Sequence, residues 1–263
     1  MSENNARIYS ARITDAGALI ADTKTMLASW DMTQDRGANF NRVREQNTLG
    51  KPSRKRLNDI LIIFRQRYFD DPAIGNTLVQ LVQKGASSQW VDPLLYFFSA
   101  QNDNTLRDIV IGTLYPRKQA GYIDLPPIIV QNTLRNWVVN GRTKSPWGDY
   151  TIKHVAQGIM ATLRDFGVLE GKVNKHIRPV YVPIESFALI AFWLMQKLQS
   201  GNLVLCSDEW RLFFLDVGGV EQHFIEAHQE GLLSYYAAGS VVRIEFPAST
   251  LQEYANGILE RSR

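Results

Sequence analysis

Apolar residues recur at helical spacing through most of the chain. In "YTIKHVAQGIMATLRDF" the residues Ile152, Val155, Ile159, Leu163 and Phe166 follow one another at intervals of 3, 4, 4 and 3. That is the period of a helix with one buried face. Leu57, Ile60, Leu61, Phe64 and Tyr68 form a second stripe, and Ala16, Leu19, Thr23, Met26 and Trp30 a third, with Thr14 or Asp15 as its N-cap. Asp71-Pro72, Asp92-Pro93, Asn104 and Asp124-Leu125-Pro126 read as helix starts; Gly50, Gly85 and Gly167 read as stops. The apolar run Phe187 to Met195 falls short of the roughly 20 residues that a membrane span needs, so it reads as a central core helix.

Strand signals are few: Tyr122-Ile123, Val168-Leu169, and Pro179-Val180-Tyr181-Val182. The pattern predicts a mainly α fold with small hairpins. "DFGVLEGKVNKHIRPVYVP" joins a helix end to a hairpin with a basic tip. That is the order of a winged helix-turn-helix, in which a helix enters a DNA groove and the wing touches phosphates. Gly167-Val168-Leu169 leads to Tyr181-Val182-Pro183 over the same distance as Gly231-Leu232-Leu233 leads to Glu245-Phe246-Pro247, so the helix-plus-hairpin unit is a candidate repeat; chance is the alternative. Three regions follow: 1–120, helical with a basic patch; 121–183, winged-helix-like; and 184–263, an acidic helix-and-hairpin region, a candidate second winged-helix-like unit. All three are expected to pack as one body.

Composition is that of an ordinary globular protein, with 45% apolar and 21% charged residues. The placement of charge says more than the net +3. Residues 36–67 hold nine Lys/Arg against two Asp/Glu, residues 141–182 seven against three, and residues 183–263 five against ten. Two basic blocks point to a polyanion. Cys206, the one cysteine, follows Leu203-Val204-Leu205 and reads as a core thiol; it excludes an intramolecular disulfide framework or a multi-cysteine zinc site. The opening "MSENNARIYS" lacks the apolar centre of a signal peptide, and a cytoplasmic location is expected.

In "KPSRKRLNDI", Ser53 reads as an N-cap and the first helical turn carries Arg54, Lys55 and Arg56. The positive end of a helix dipole disfavours cations, so an anion is expected to offset them. A phosphate would meet backbone N–H groups, the Ser53 hydroxyl and the guanidinium groups together. A solvated basic turn is the alternative. Arg42, Arg44 and Lys51 extend the candidate patch. On the helix from Tyr150 to Asp165, Lys153, His154 and Gln157 fall on the outward side and are candidate DNA contacts, as are Lys172, Lys175 and Arg178 of the wing. An ordinary amphipathic helix with a polar face would look the same.

Enzyme signatures are weak. There is no Gly-rich phosphate loop ending in Gly-Lys-Ser/Thr, no His-Glu-x-x-His and no Gly-x-Ser-x-Gly. His223 and His228 lie five apart, on different helix faces, which argues against a shared metal. No catalytic residue, metal or cofactor is expected.

The N-terminal part, residues 9 to 69, resembles the BrxA family, a component of bacterial BREX (bacteriophage exclusion) defence systems. The likeness is carried by Tyr9-Ser10, Thr14, Gly17-Ala18-Leu19, Trp30, and the run from Arg44 to Arg56 with Asn47, Leu49-Gly50-Lys51 and Ser53. The resemblance implies a non-catalytic, nucleic-acid-binding member of a phage-defence assembly, with other BREX proteins as partners: a methyltransferase, an alkaline-phosphatase-like protein and an ATPase. The family has been likened to the helical RNA-binding antitermination factor NusB. Double-stranded DNA binding is the expectation from residues and resemblance together. RNA binding in the NusB manner, or a protein-interaction role without nucleic acid, are the alternatives.

Overall fold

A computed structural model describes residues 7–11, 17–178, 180–239 and 241–261. The fold is mainly α. In chain order the elements are α1 (Ile20–Ser29), α2 (Arg36–Gln46), α3 (Arg54–Phe64), α4 (Pro72–Gln83), α5 (Ser88–Asn102), α6 (Asn104–Ile109), α7 (Tyr115–Gln119), α8 (Pro127–Val139) and α9 (Asp149–Asp165). They continue with β1 (Leu169–Glu170), β2 (His176–Ile177), α10 (Ile184–Leu198), α11 (Gly201–Leu205), α12 (Val217–Gln229), β3 (Ser234–Ala238), β4 (Val241–Glu245) and α13 (Leu251–Arg261). π-helical turns follow α3 (Arg65–Phe69) and α6 (Val110–Leu114).

The chain folds into two compact units that are not contiguous in sequence: residues 1–19 with 96–180, and residues 20–95 with 181–263. In the first, Tyr9 threads the N-terminal segment onto the helices. Its ring stacks on Trp137 at 3.6 Å, its N–H bonds Arg142 O at 2.8 Å, and its hydroxyl donates to Asp108 at 2.8 Å. The predicted stripe of α9 is buried as expected: Ile152, Val155, Ile159 and Leu163 all face inward. Gly167, at φ +81°, ends the helix in the left-handed conformation that glycine adopts without strain. The hairpin that follows pairs Leu169 with Ile177 and Glu170 with His176.

That pairing corrects the predicted second strand at 179–182. β2 lies at His176–Ile177 because the connection is tight: Gly171, at φ +91°, comes so close to Asn174 O that a Cβ there would lie 1.9 Å from it. Tyr181 is exposed, and Pro179 lies outside the described residues. The strand signal at Tyr122-Ile123 has a counterpart one residue on. Asp124 bridges His176, Ile177 N bonds Ile123 O at 2.6 Å, and Leu125 N bonds Lys175 O at 2.7 Å. β2 is therefore flanked by β1 on one edge and by residues 123–125 on the other.

In the second unit, Trp30, Phe40, Phe64 and Phe69 form one aromatic cluster beneath α1 to α4. Phe187, Trp210, Phe224 and Tyr235 form another beneath α10, α12 and β3. α4 packs on α1 and α13. Buried Phe187 to Leu194 makes α10 the expected core helix. The two helix-plus-hairpin segments share one helix ending. Val168 N bonds Leu163 O and Leu232 N bonds Ala227 O, both at 2.8 Å, with Gly167 and Gly231 at positive φ between them. In the second segment the hairpin is longer, pairing Ser234 with Glu245 through to Ala238 with Val241.

Three further expectations need correction. α1 begins at Ile20, not after Thr14 or Asp15, because Gly17 (φ +64°) and Leu19 (φ +54°) hold the left-handed conformation, which a right-handed helix cannot accommodate; Thr14, Asp15 and Ala16 lie outside the described residues. α5 starts at Ser88 and carries Pro93 inside it; the N–H that Pro93 lacks would have met Gln89 O, and Gln89 is exposed, so water can take that carbonyl. Cys206 is exposed, not a core thiol: it sits at the C-cap of α11, where the chain turns after buried Val204 and Leu205.

Candidate nucleic-acid interface

The sequence-derived candidates lie in both units. In the first, α9 and its hairpin carry six of them. Lys153, His154 and Gln157 are all exposed, because the burial of Ile152, Val155, Ala156 and Ile159 turns the intervening positions to solvent. Arg164 continues the same row two turns further on and is exposed, with its guanidinium on Asp165 at 2.8 Å. Tyr150 stands 77% exposed at the start of α9 with its ring 4.2 Å from that of His154. Arg135 of α8 reaches Asp149 at 3.2 Å. Arg164 could have been found by extending the polar face to the end of the helix.

The three cations of this hairpin and its flanks differ in what their charge meets. Lys172 is exposed beside Val173, itself 83% exposed at the tip. Lys175 folds back onto the turn, its Nζ donating to Gly171 O at 3.2 Å and Lys172 O at 3.4 Å. Burial, and then the nearby charge of Arg164, lower its pKa from the usual lysine value. Arg178 faces Glu170 at 3.7 Å, both well exposed. The corresponding hairpin of the second unit holds Arg243, which Glu245 engages through a bond from Nε of 2.9 Å. A free anion therefore has less positive charge to meet there.

In the second unit the expected N-cap is in place. Ser53 Oγ accepts the N–H of Arg56 at 3.2 Å, so helix geometry leaves the N–H groups of Arg54 and Lys55 for another acceptor. Arg54 and Lys55 are exposed and Arg56 is half-buried. Other cations of the patch are engaged within the unit. Lys51 pairs with Asp22 at 2.7 Å. Arg42 donates to Asn39 Oδ1 at 2.8 Å and to Ser29 O, and lies 3.8 Å from Asp31. Asn47, left-handed at φ +46°, ties the α2–α3 connection by bonds of 2.9 Å to both the N–H and the carbonyl of Lys51.

Between α2 and α3 runs a groove of about 600 Å³. Arg36, Arg44 and Arg65 stand along it over a floor that includes Phe40 and Leu61. The sequence placed Arg44 in the basic patch but gave no sign of this concavity, because it arises from how two helices cross. No group of three or more His, Cys, Asp or Glu able to hold a metal ion occurs among the described residues. No helix among them is long and apolar enough to cross a membrane.

A crystal structure of an uncharacterized protein from Magnetospirillum magneticum is similar in fold, with a TM-score of 0.58 at 16% identity over 79% of this chain and 99% of that one. No match was found among curated proteins. The model of the BrxA family matches residues 7–192, extending the likeness read at residues 9–69 through α9 and the first hairpin into α10. The chain belongs to the BrxA family, and with it to the components of BREX phage defence.

Proposed function

We propose that this protein binds double-stranded DNA, mainly through backbone phosphates, as a non-catalytic member of its BREX assembly. One observation carries the reading. In the first unit a short extended stretch (residues 123–125), two helices (α8, α9) and a hairpin follow in order, and the first stretch pairs with the returning strand β2. That is the connectivity of a winged helix-turn-helix, with α9 in the recognition position and Lys172 at the wing tip. The exposed row of Lys153, His154 and Gln157 supplies groups that can reach phosphates or base edges. Arg54 and Lys55 supply a separate phosphate site at the α3 N-terminus in the second unit.

Fluorescence-anisotropy titrations of the protein against equal-length duplex DNA, single-stranded DNA and structured RNA across a salt series test the reading. Preference for duplex with a steep salt slope supports it. No binding to any of the three at low salt overturns it and leaves a protein-interaction role. A second reading, RNA binding, has Tyr150 in its favour: an exposed ring beside a basic helix face is a platform for an unstacked base. Preference for structured RNA, abolished in Tyr150→Ala, would favour it.

A further inference from the structure

We propose that the α2–α3 groove docks an acidic, amphipathic segment of a protein partner, a role separate from phosphate binding at α9 and the wing. The first argument is how the groove's cations are held. Arg36 Nη1 donates to the backbone carbonyl of Phe69 at 2.6 Å, which the π-helical turn leaves facing α2. Arg44 donates from Nε to Asn58 Oδ1 at 3.0 Å and from Nη1 to Asn41 Oδ1 at 2.7 Å, bridging the two helices. These partners are neutral oxygens, so they fix the direction of each guanidinium without cancelling its charge. Arg65 alone of the three faces a carboxylate, Asp70, at 3.6 Å on the exposed side. Among the described residues, no Asp or Glu lines the groove. Cations already held in one geometry lose little side-chain freedom when a carboxylate arrives, which favours binding.

The second argument is the apolar component. Ile62 is 55% exposed and lines the groove alongside buried Leu61 and Phe40. A phosphate–sugar backbone offers little apolar surface to cover an exposed isoleucine set between guanidinium groups. A peptide segment with carboxylates flanking a leucine or phenylalanine satisfies both features at once: the apolar side chain covers Ile62 and the carboxylates take Arg36 and Arg44.

The probes are fluorescently labelled synthetic peptides in which glutamates flank a leucine or phenylalanine at helical spacing. Controls are the same peptides scrambled and the same peptides with glutamine for glutamate. The patterned acidic peptide binds the full-length protein, and both controls bind weakly. Ile62→Ser and Arg36→Gln each lower its affinity about five- to ten-fold, the loss typical of a central contact residue. Ile62→Ser leaves affinity for duplex DNA unchanged. Ile62 is largely exposed, so neither its packing nor the fold depends on it, and circular dichroism checks that point. Three results overturn the proposal: no peptide of the set binds, the scrambled peptide binds equally well, or Ile62→Ser has no effect on the peptide. A loss of duplex affinity in Ile62→Ser overturns it too and assigns the groove to nucleic acid. The peptide measurements are independent of whether the protein binds DNA at all.

Discussion

The ring of Phe69 occupies the space that a side chain at position 75 would need. A Cβ built on Gly75 lies 2.6 Å from Phe69 Cδ1, 2.7 Å from Cε1 and 2.9 Å from Cγ. The π-helical turn Arg65–Phe69 turns this ring inward, where Trp30 sits 4.1 Å from it and Phe64 5.1 Å. In an open helix, Gly→Ala stabilises by up to about 1 kcal/mol. Here the ring is packed on several sides and cannot retreat. Gly75→Ala should therefore destabilise by about 1 to 3 kcal/mol, the usual cost of overpacking. Urea unfolding measures it, and a smaller neighbour in Phe69→Leu with Gly75→Ala should recover part of the loss.

Gly201 makes a similar approach to backbone. Its Cβ would stand 2.4 Å from Val242 O and 3.0 Å from Val242 C, so α11 lies directly against β4. A carbonyl in a paired strand has no rotamer to change. Gly201→Ala should cost about 2 kcal/mol or more and should raise amide hydrogen exchange across β3 and β4. Unchanged exchange there would contradict the close approach.

Phosphate binding predicts a graded salt response. Removing one cation that neutralises a phosphate flattens log K against log salt by roughly 0.9 for duplex DNA. Arg54→Gln with Lys55→Gln should reduce the slope by about 2, and Lys172→Gln by about 1. Arg42→Gln should leave the slope alone, since the Asp31 carboxylate 3.8 Å away offsets the charge of Arg42, and should instead lower stability by about 1 kcal/mol through its bonds to Ser29 and Asn39. Equal effects of all four substitutions would show that net charge, not position, sets binding.

Alkaline pH should loosen the N-terminal segment. Burial, followed by the hydrogen bond to Asp108, pushes the Tyr9 hydroxyl up from 10.0 to about 12. Burial and the bond to Glu221 raise Tyr235 to about 12 as well. The folded state thus favours the protonated phenol. The stability this contributes is complete below pH 10 and is lost as pH rises toward 12, because the unfolded chain releases those protons first. Tyr9→Phe should lower stability at neutral pH by about 0.5 to 1.5 kcal/mol, because the bond to Asp108 is gone. It should also shrink the fall in stability expected between pH 10 and 12, which thermal melts measure.

The sequence by itself determined what depends on near neighbours along the chain. The stripe of α9, the Ser53 cap, the glycine stop at 167 and the apolar length of α10 were legible, because helix periodicity and capping involve residues three or four apart. The concentration of charge at residues 36–67 was legible for the same reason. Which of those cations remain open to a ligand was not. Arg42 meets Ser29, and Lys51 meets Asp22, across turns that composition does not encode. The pairing of Asp124 with His176, the two non-contiguous units and the concavity between α2 and α3 were likewise decided only by tertiary structure. Local spacing fixes which side of a helix is apolar; where a long side chain finds its partner depends on which distant backbone folds beside it.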